Sequence, residues 1–374
     1  MIIPYGRQSI NDDDIEAVVR TLKSDWLTIG PCVAEFENAL EQVVGAPCIS
    51  VSSGTAALHC AYAAIGIEPG DEIITPPITF VATQATAALM GAKIVFADVL
   101  EDTANIDPKA VEAAITSRTK AIVAVDYAGH PADMAELRVI ADKYGIYLIE
   151  DAAHSIGSIY QGKPVGSIAD LTTFSFFPTK NLTTAEGGAV SSIKPELLER
   201  AKKFSRQGLI RDPSKFLIEG QGLWHQEVHE FGLNYRLPDV LCALGTSQLK
   251  RLDAFKAKRS EVFKIYGEAF ESQSKIMTPI QRHDVNPMWH LYPIRVDPNK
   301  RKVIFERMRN AGINVQVNYI PAHMHPVFAS LGHARGEFPI SEAFYSEEIS
   351  LPMYSDLDSE NQKTLIETLI RIIG

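Results

Sequence analysis

The chain has 374 residues, of which 46% are hydrophobic and 22% charged, an ordinary composition for a globular protein of two or three domains. Its formal net charge of −10, from 36 basic and 46 acidic residues, argues against nucleic-acid binding through a general basic surface. The absence of a Cys-x-x-Cys pair, a signal segment or a run of about 18 apolar residues predicts a cytoplasmic protein with reduced thiols and no membrane contact.

Hydrophobic periodicity predicts alternating helices and strands over most of the chain. Asn11 can cap a first helix whose apolar face comprises Ile15, Val18, Val19 and Leu22. The helices expected next are 33–44, 54–65, 80–90, 108–115, 132–144 and 195–207. The expected strands are 48–51, 72–75, 94–97, 121–125, 145–151, 172–176 and 188–192. Repeated β-α units of this kind predict a mainly parallel sheet with helices on both faces.

The pattern changes after residue 250. One long helix over 240–270 should bridge to an α+β region. There we expect strands at 290–296 and 315–319 and helices at 301–311, 341–348 and 360–373. We therefore predict a large domain, 1–250, that begins with an extended arm, 1–10, and a small C-terminal domain, 251–374.

Two chemically suggestive residues follow neighbouring strands. Asp151 ends a buried strand, at the edge of the sheet where open α/β proteins bind ligands. Lys180 follows the next strand. An aspartate can keep a pyridine nitrogen protonated, and a lysine amine can form a Schiff base with an aldehyde cofactor, so the pair suggests pyridoxal phosphate. A surface lysine and a helix-capping aspartate remain the open alternative from these two residues alone.

A third segment, Ser52–Thr55, can turn from a strand into a helix. Small residues there let backbone N–H groups approach an anion, so the turn could hold a phosphate, although the same residues also make an ordinary helix cap. The turn lacks the Gly-x-Gly-x-x-Gly pattern of dinucleotide-binding proteins, which argues against a nicotinamide enzyme.

Taken together, several motifs resemble the DegT/StrS-type sugar aminotransferases, a branch of the aspartate-aminotransferase fold. The matching segments are 52–58, 129–134, 150–154, 174–180, 186–190 and 232–239. The resemblance implies an α/β fold of the aspartate-aminotransferase type (PLP fold type I), with pyridoxal 5′-phosphate as the cofactor.

The resemblance also assigns roles to individual residues. It makes Lys180 the catalytic residue that bonds to the cofactor and Asp151 the partner of the pyridine nitrogen. The other cofactor contacts that it implies are Gly54, Thr55, Phe80, His154, Ser175 and, from a second subunit, Asn234. Candidate contacts with the sugar nucleotide are Tyr5, Arg236, Tyr319 and His323. The expected assembly is thus a homodimer with shared active sites.

Within the family, four segments look closest to the branch that acts in pseudaminic acid biosynthesis: 125–129, 183–188, 290–293 and 316–319. That branch aminates a UDP-linked 4-keto-6-deoxy N-acetylamino sugar, and glutamate, which becomes 2-oxoglutarate, is the expected amino donor. Three alternatives are a sugar dehydratase, whose relatives carry histidine in place of Lys180, a non-catalytic sugar or regulatory module, and a metal enzyme. The last would use His225, His229, His323 and His325, which lack a companion acid cluster, so we expect no metal.

Overall fold

The computed structural model describes residues 2–374. Its strands are, in chain order, β1 (Cys48–Val51), β2 (Glu72–Thr75), β3 (Lys93–Phe96), β4 (Thr119–Val125), β5 (Tyr147–Asp151), β6 (Ile159–Tyr160), β7 (Lys163–Pro164), β8 (Leu171–Ser175), β9 (Gly188–Ser191), β10 (Leu209–Ile210), β11 (Glu227–Val228), β12 (Val285–Asn286), β13 (Tyr292–Arg295) and β14 (Glu348–Leu351).

A seven-stranded sheet with the order β1-β9-β8-β5-β4-β2-β3 forms the centre of the molecule. Strands β3, β2, β4, β5 and β8 are parallel to one another, and β9 runs antiparallel to both of its neighbours. Strands β4 and β5 are largely buried on both faces, which explains their continuous apolar runs. The predicted α/β class with a mainly parallel sheet is confirmed.

Helices cover both faces of this sheet and continue beyond it. They are α1 (Asp12–Leu22), α2 (Pro31–Val44), α3 (Gly54–Ala64), α4 (Ala82–Leu89), α5 (Pro108–Ala114), α6 (Met134–Tyr144), α7 (Pro195–Phe204), α8 (Asp239–Leu249), α9 (Leu252–Phe270), α10 (Pro298–Asn310), α11 (Pro326–Ala329), α12 (Pro339–Glu347) and α13 (Ser359–Ile373). Asn11 caps α1 as expected, and Gly45 ends α2 in the left-handed conformation that glycine adopts readily.

The C-terminal third packs around a hydrophobic core of its own. Residues of α9, α10 and α13 surround the antiparallel pair β13 and β14, and Ile3 from the N-terminal arm joins them. Ile3 also forms a parallel bridge with Ile313. The arm therefore packs against the C-terminal third of the chain. The domain boundary at residue 250 stays a prediction.

Two predicted elements differ from the structure. The long helix expected over 240–270 is interrupted at Lys250 and Arg251, where Arg251 turns its guanidinium to Ser9 and Asp14. The strand expected over 315–319 is reduced to one bridge, between Gln316 and Ser350. The backbone N–H of Asn318 donates instead to the side chain of Glu348, at 2.9 Å, so no ladder continues there.

The apolar face predicted for α1 does not point into the core. Ile15, Val19 and Leu22 are exposed, whereas Asp14, Ala17 and Thr21 are buried. Thr21 returns a hydrogen bond to the carbonyl of Ala17 at 3.0 Å, so its hydroxyl is satisfied. Hydrophobic periodicity correctly predicted the helix, and its apolar face is exposed in the single chain.

Within residues 2–374, we find no helix that is both long and apolar enough to cross a membrane.

The side chain of Asp14 anchors α1 to the junction of α8 and α9. It is fully buried, bonds to Arg251, and accepts a hydrogen bond from Gln248 Nε2 at 2.7 Å. Replacing Arg251 by alanine should lower the free energy of unfolding by about 3 kcal/mol, because a buried carboxylate then lacks its cation. Urea unfolding followed by circular dichroism measures this loss.

The matched control is Arg20→Ala, which removes an ion pair whose partners Arg20 and Glu16 are 65% and 67% exposed. That change should cost less than about 0.5 kcal/mol. Equal losses in the two variants would contradict the anchoring role of Arg251.

Candidate active site

A cavity of about 510 Å³ opens at the carboxyl ends of β4, β5 and β8, beside the N-terminus of α3. This is the edge at which parallel α/β sheets bind ligands. Nine of the residues that the sequence singled out line it together: Tyr5, Gly54, Thr55, Phe80, Asp151, His154, Ser175, Lys180 and Tyr319.

Asp151 ends β5 and is buried in the cavity wall. Thr83 Oγ1 donates to its Oδ2 at 2.7 Å, and the backbone N–H of Ala153 donates to its Oδ1 at 3.2 Å. Burial raises the pKa of Asp151, while these hydrogen bonds and the positive charge of Lys180 act in the opposite direction. A cation bound in the cavity would favour the ionised carboxylate further.

Thr83 is a site residue that the sequence analysis did not single out. It lies on α4, and its hydroxyl is 2.9 Å from that of Thr79. Thr79 precedes α4 and Thr83 lies in its first turn, so no helical spacing in the sequence indicated that the two hydroxyls meet. Because Thr83 has one hydroxyl hydrogen and gives it to Asp151, Thr79 acts as the donor between the two threonines.

Lys180 follows β8 in a turn that its backbone N–H closes on the carbonyl of Phe177 at 2.9 Å. Burial of its amine lowers the pKa of Lys180 to about 8, although the charge of Asp151 pulls it upward. A sizeable fraction of the amine is therefore neutral near pH 8 and can act as a nucleophile.

The N-terminus of α3 provides an anion-binding surface at the same cavity. Ser53 caps the helix by accepting from the N–H of Ala56 at 3.0 Å, and the N–H groups before Ala56 have no partner within the helix. Gly54 lies so close to Ser175 that a Cβ atom would come within 2.7 Å of the serine Cβ. Glycine thus allows the helix end and the Ser175 hydroxyl to face one small space.

Aromatic and imidazole rings form the remaining wall. Phe80 is 57% exposed although it lines the cavity, so an apolar face is available to a flat ligand. His154 is buried, with Nε2 3.2 Å from the Tyr319 hydroxyl and with Nδ1 left without a hydrogen-bond partner. Burial and the charge of Lys180 lower the pKa of His154, so its ring is neutral.

His290 is a second residue that sequence reasoning did not assign to the site. Its ring centroid lies 4.3 Å from that of His154, and its Nδ1 is 3.1 Å from Asn181 Oδ1. The segment 290–293 carried a family motif, but nothing in the sequence indicated that His290 packs on His154.

Three predicted site residues lie away from the cavity. His323 is buried beside Phe96 and Phe338, and its Nε2 is 3.0 Å from Glu342 Oε1. The short 3-10 turn Ala322–Met324 places this side chain in an aromatic cluster, so the chain does not bring it to the cavity.

Asn234 and Arg236 lie near the end of the segment between α7 and α8. Asn234 is exposed and forms a backbone bridge with Arg206. Arg236 lines a separate cavity of about 380 Å³ and donates to Gln207 Oε1 at 3.4 Å. The prediction that Asn234 serves the second subunit concerns a partner chain and stays a prediction.

The residues of the main cavity fit pyridoxal phosphate. A buried carboxylate suits its pyridine nitrogen, an amine with a lowered pKa suits its aldehyde, and a free helix N-terminus suits its phosphate. A flat, polar ligand could also form a hydrogen bond with the unpartnered Nδ1 of His154 and stack on the exposed ring of Phe80. The same residues do not match the parts of a dinucleotide in this way.

Comparison with known proteins supports the same assignment. A family model described as the DegT/DnrJ/EryC1/StrS aminotransferase family matches residues 8–370. A UDP-4-amino-4,6-dideoxy-N-acetyl-beta-L-altrosamine transaminase from Campylobacter jejuni subsp. jejuni serotype O:23/36 (strain 81-176) is 39% identical, over 100% of this chain and 98% of its own.

Two solved structures share the fold over almost the whole chain. Helicobacter pylori PseC, an aminotransferase involved in the biosynthesis of pseudoaminic acid, superposes with a TM-score of 0.93 at 32% identity, covering 100% of this chain and 99% of its own. Spr1654 from Streptococcus pneumoniae, in a PMP-form, gives a TM-score of 0.93 at 31% identity, covering 99% and 98%.

The lowered pKa of Lys180 predicts when its amine becomes reactive. In protein freed of cofactor, acetylation of Lys180 by acetic anhydride should rise with pH with a midpoint at about pH 8 and level off at higher pH. In Asp151→Asn the midpoint should move to lower pH, because the negative charge that favours the protonated amine is gone. Competitive labelling with mass spectrometry measures both midpoints.

Asp13→Asn serves as the control, since Asp13 is an exposed residue of α1. In this variant, the midpoint for acetylation of Lys180 should equal that of the unmodified protein. A Lys180 midpoint near that of a free lysine, or an upward shift in Asp151→Asn, would contradict the electrostatic coupling between the two residues.

Proposed function

Because the chain belongs to the DegT/DnrJ/EryC1/StrS aminotransferase family, which depends on pyridoxal phosphate, we propose that it transfers the amino group of glutamate to a keto carbon of a nucleotide-linked sugar. The observation that carries the proposal is the meeting of the Lys180 amine, the Asp151 carboxylate and the N-terminus of α3 in one cavity. Each suits a different part of the cofactor, and a binding module would not need the amine.

Bound pyridoxal phosphate supplies a protonated pyridine ring that takes up the electron pair left when a carbon atom loses its proton. Asp151 would hold the proton on the pyridine nitrogen. Thr83 and Thr79 would keep the Asp151 carboxylate in one orientation, because each hydroxyl donates toward it in turn. The free N–H groups of α3 and the hydroxyl of Ser175 would bind the phosphate.

Lys180 would have two tasks. Its amine would hold the aldehyde of the cofactor covalently, with loss of water, until the amino group of glutamate takes its place. The freed amine would then move the proton that leaves Cα of glutamate, and water would release 2-oxoglutarate while the amino group stays behind. The same amine would return a proton to the sugar carbon when the keto sugar takes up the amino group.

The substrate that we propose is a UDP-linked 4-keto-6-deoxy N-acetylamino sugar. Its support is the similarity to the Campylobacter jejuni transaminase, whose name specifies a UDP-linked 4-amino-4,6-dideoxy N-acetyl sugar. The similarity to PseC, with its role in pseudoaminic acid biosynthesis, supports the same class. Tyr5 and Tyr319 line the cavity and are candidates to contact this sugar.

We also propose that the active unit is a homodimer and that it works in the cytoplasm. The segment between α7 and α8 carries large apolar side chains that a partner could cover, since Leu217, Trp224 and Phe231 are 79%, 82% and 97% exposed. Asn234 lies near the end of this segment and would reach the partner's cofactor. Free thiols at all four cysteines agree with a reducing compartment.

Turnover of glutamate and a keto sugar tests the proposed activity. With glutamate and a UDP-linked 4-keto-6-deoxy N-acetylamino sugar, the protein should release 2-oxoglutarate and form an amino sugar in equal amounts. Lys180→Ala should lower kcat by roughly 10³-fold, because the chain loses its nucleophile and proton carrier. Mass spectrometry of the sugar and a coupled assay for 2-oxoglutarate measure the two products.

Lys163→Ala is the control, because Lys163 is an exposed lysine of β7. Its kcat should match that of the unmodified protein. An unmodified protein that aminates no member of a panel of nucleotide-linked 3-keto and 4-keto sugars would overturn the proposal in favour of a binding module.

Subunit exchange tests whether the active sites are shared. Lys180→Ala and Asn234→Ala should each be nearly inactive alone, whereas subunit exchange between them should restore about a quarter of the unmodified activity. Random exchange makes half of the dimers mixed, and each mixed dimer has one site that is free of both changes. Activity that stays at the level of the single variants after exchange would argue against a contribution of Asn234 across the interface.

A further inference from the structure

Asn318 is a residue of the main cavity that the mechanism proposed above does not use. It is 9% exposed and lines the cavity together with Tyr5 and Tyr319. Its backbone is held on both sides, since its N–H donates to Glu348 Oε2 at 2.9 Å and its carbonyl accepts from the Tyr127 hydroxyl at 2.5 Å. These two hydrogen bonds fix the backbone position from which the side chain of Asn318 extends.

The side-chain amide of Asn318 is oriented by two further hydrogen bonds. Its Nδ2 donates one hydrogen to Ser350 Oγ at 3.0 Å and the other to the hydroxyl oxygen of Tyr5. An amide nitrogen has two hydrogens, so both are used. The amide oxygen, Oδ1, bonds to no protein group within residues 2–374 and is left for the cavity.

Ser350, which does not line the cavity, helps to hold the Asn318 amide in this orientation. Its hydroxyl is bonded to Glu348 Oε1, and both residues are fully buried. Burial raises the pKa of Glu348 to about 8. When Glu348 is ionised, Ser350 donates to it, and when Glu348 is protonated, it can donate to Ser350. In either state, the serine oxygen keeps a lone pair for Asn318 Nδ2.

Tyr5 completes the arrangement. Because its oxygen accepts from Asn318, its own hydroxyl hydrogen is not used in that bond and can be donated either to Ser350 or into the cavity. The cavity wall thus presents an acceptor, Asn318 Oδ1, next to a donor, the Tyr5 hydroxyl.

We propose that Asn318 and Tyr5 together recognise one hydroxyl group of the sugar, which donates to Asn318 Oδ1 and accepts from the Tyr5 hydroxyl. This inference rests on the function proposed above. It makes Asn318 and Tyr5 specificity-determining residues and Ser350 a positioning residue that acts through Asn318.

The chemistry of the pair selects among the groups of the sugar. A ketone accepts but cannot donate, a methyl group does neither, and a protonated amine has no lone pair to accept with. A hydroxyl satisfies both partners through one oxygen, whereas the N–H and C=O of the acetamido group point in opposite directions and cannot both meet adjacent groups. A 4-keto-6-deoxy sugar with an acetamido group at C2 has one ring hydroxyl, at C3, beside the carbon that must reach Lys180.

The test compares this sugar nucleotide with its 3-deoxy analogue. In the unmodified protein, kcat/KM should be lower for the analogue by roughly 10²-fold or more, because the loss of the hydroxyl leaves two buried polar groups unpaired. In Tyr5→Phe and Asn318→Leu, kcat/KM for the hydroxyl sugar should fall by about 10 to 100-fold, so that the ratio between the two sugars shrinks toward one.

Ser350→Ala tests the positioning role, since Ser350 does not line the cavity. The ratio of the two kcat/KM values should fall by about 3 to 10-fold, while the KM for glutamate and the melting temperature change little, and Ser350→Thr should restore the ratio. If Ser350 had only a structural role, Ser350→Ala would lower the melting temperature and would lower kcat/KM for both sugars to the same extent.

Tyr144→Phe is the matched control, because Tyr144 is an exposed tyrosine that bonds to Glu112. Its ratio should equal that of the unmodified protein. An unmodified protein that aminates the hydroxyl sugar and the 3-deoxy analogue equally well, or variants that keep the full ratio, would overturn this inference and leave the proposed function intact. An unmodified protein that aminates neither sugar would overturn both.

Discussion

A buried carboxylate that needs a cation governs the active site. Asp151 lies at the end of β5, where burial favours its neutral form, and hydrogen bonds from Thr83 and the backbone of Ala153 only partly offset that penalty. A positive charge in the cavity supplies what is missing, and a protonated pyridine nitrogen is such a charge. The end of β5 positions this carboxylate, and Thr83 with Thr79 behind it orients the carboxylate toward the cavity.

The pKa of Lys180 likewise depends on a balance between burial and the charge of Asp151. Burial makes its amine less basic, and Asp151 limits how far that effect goes. An amine in a fully apolar pocket would lose its proton too easily to act as an acid, whereas an exposed amine would stay protonated and could not attack an aldehyde. Burial and the charge of Asp151 together therefore set the reactivity of the lysine.

Much of the fold followed from the sequence, because buried parallel strands and amphipathic helices have distinct periods. The strands that end at Asp151 and near Lys180 were predicted, and the structure brings both residues to one cavity. The sequence did not show where a side chain would take a backbone hydrogen bond away from an expected strand. Glu348 takes the N–H of Asn318 and ends the expected strand, and the turn at His323 points that residue into an aromatic cluster. Such outcomes depend on contacts between segments far apart in the chain.

The central claim is that Lys180 is the residue that holds the cofactor covalently. Borohydride reduction of the protein loaded with pyridoxal phosphate, followed by proteolysis and mass spectrometry, tests it most directly. We predict that the reduced cofactor is found on the peptide that contains Lys180. Its attachment to another lysine, or a protein that binds the cofactor without any reducible bond, would contradict this account of the site.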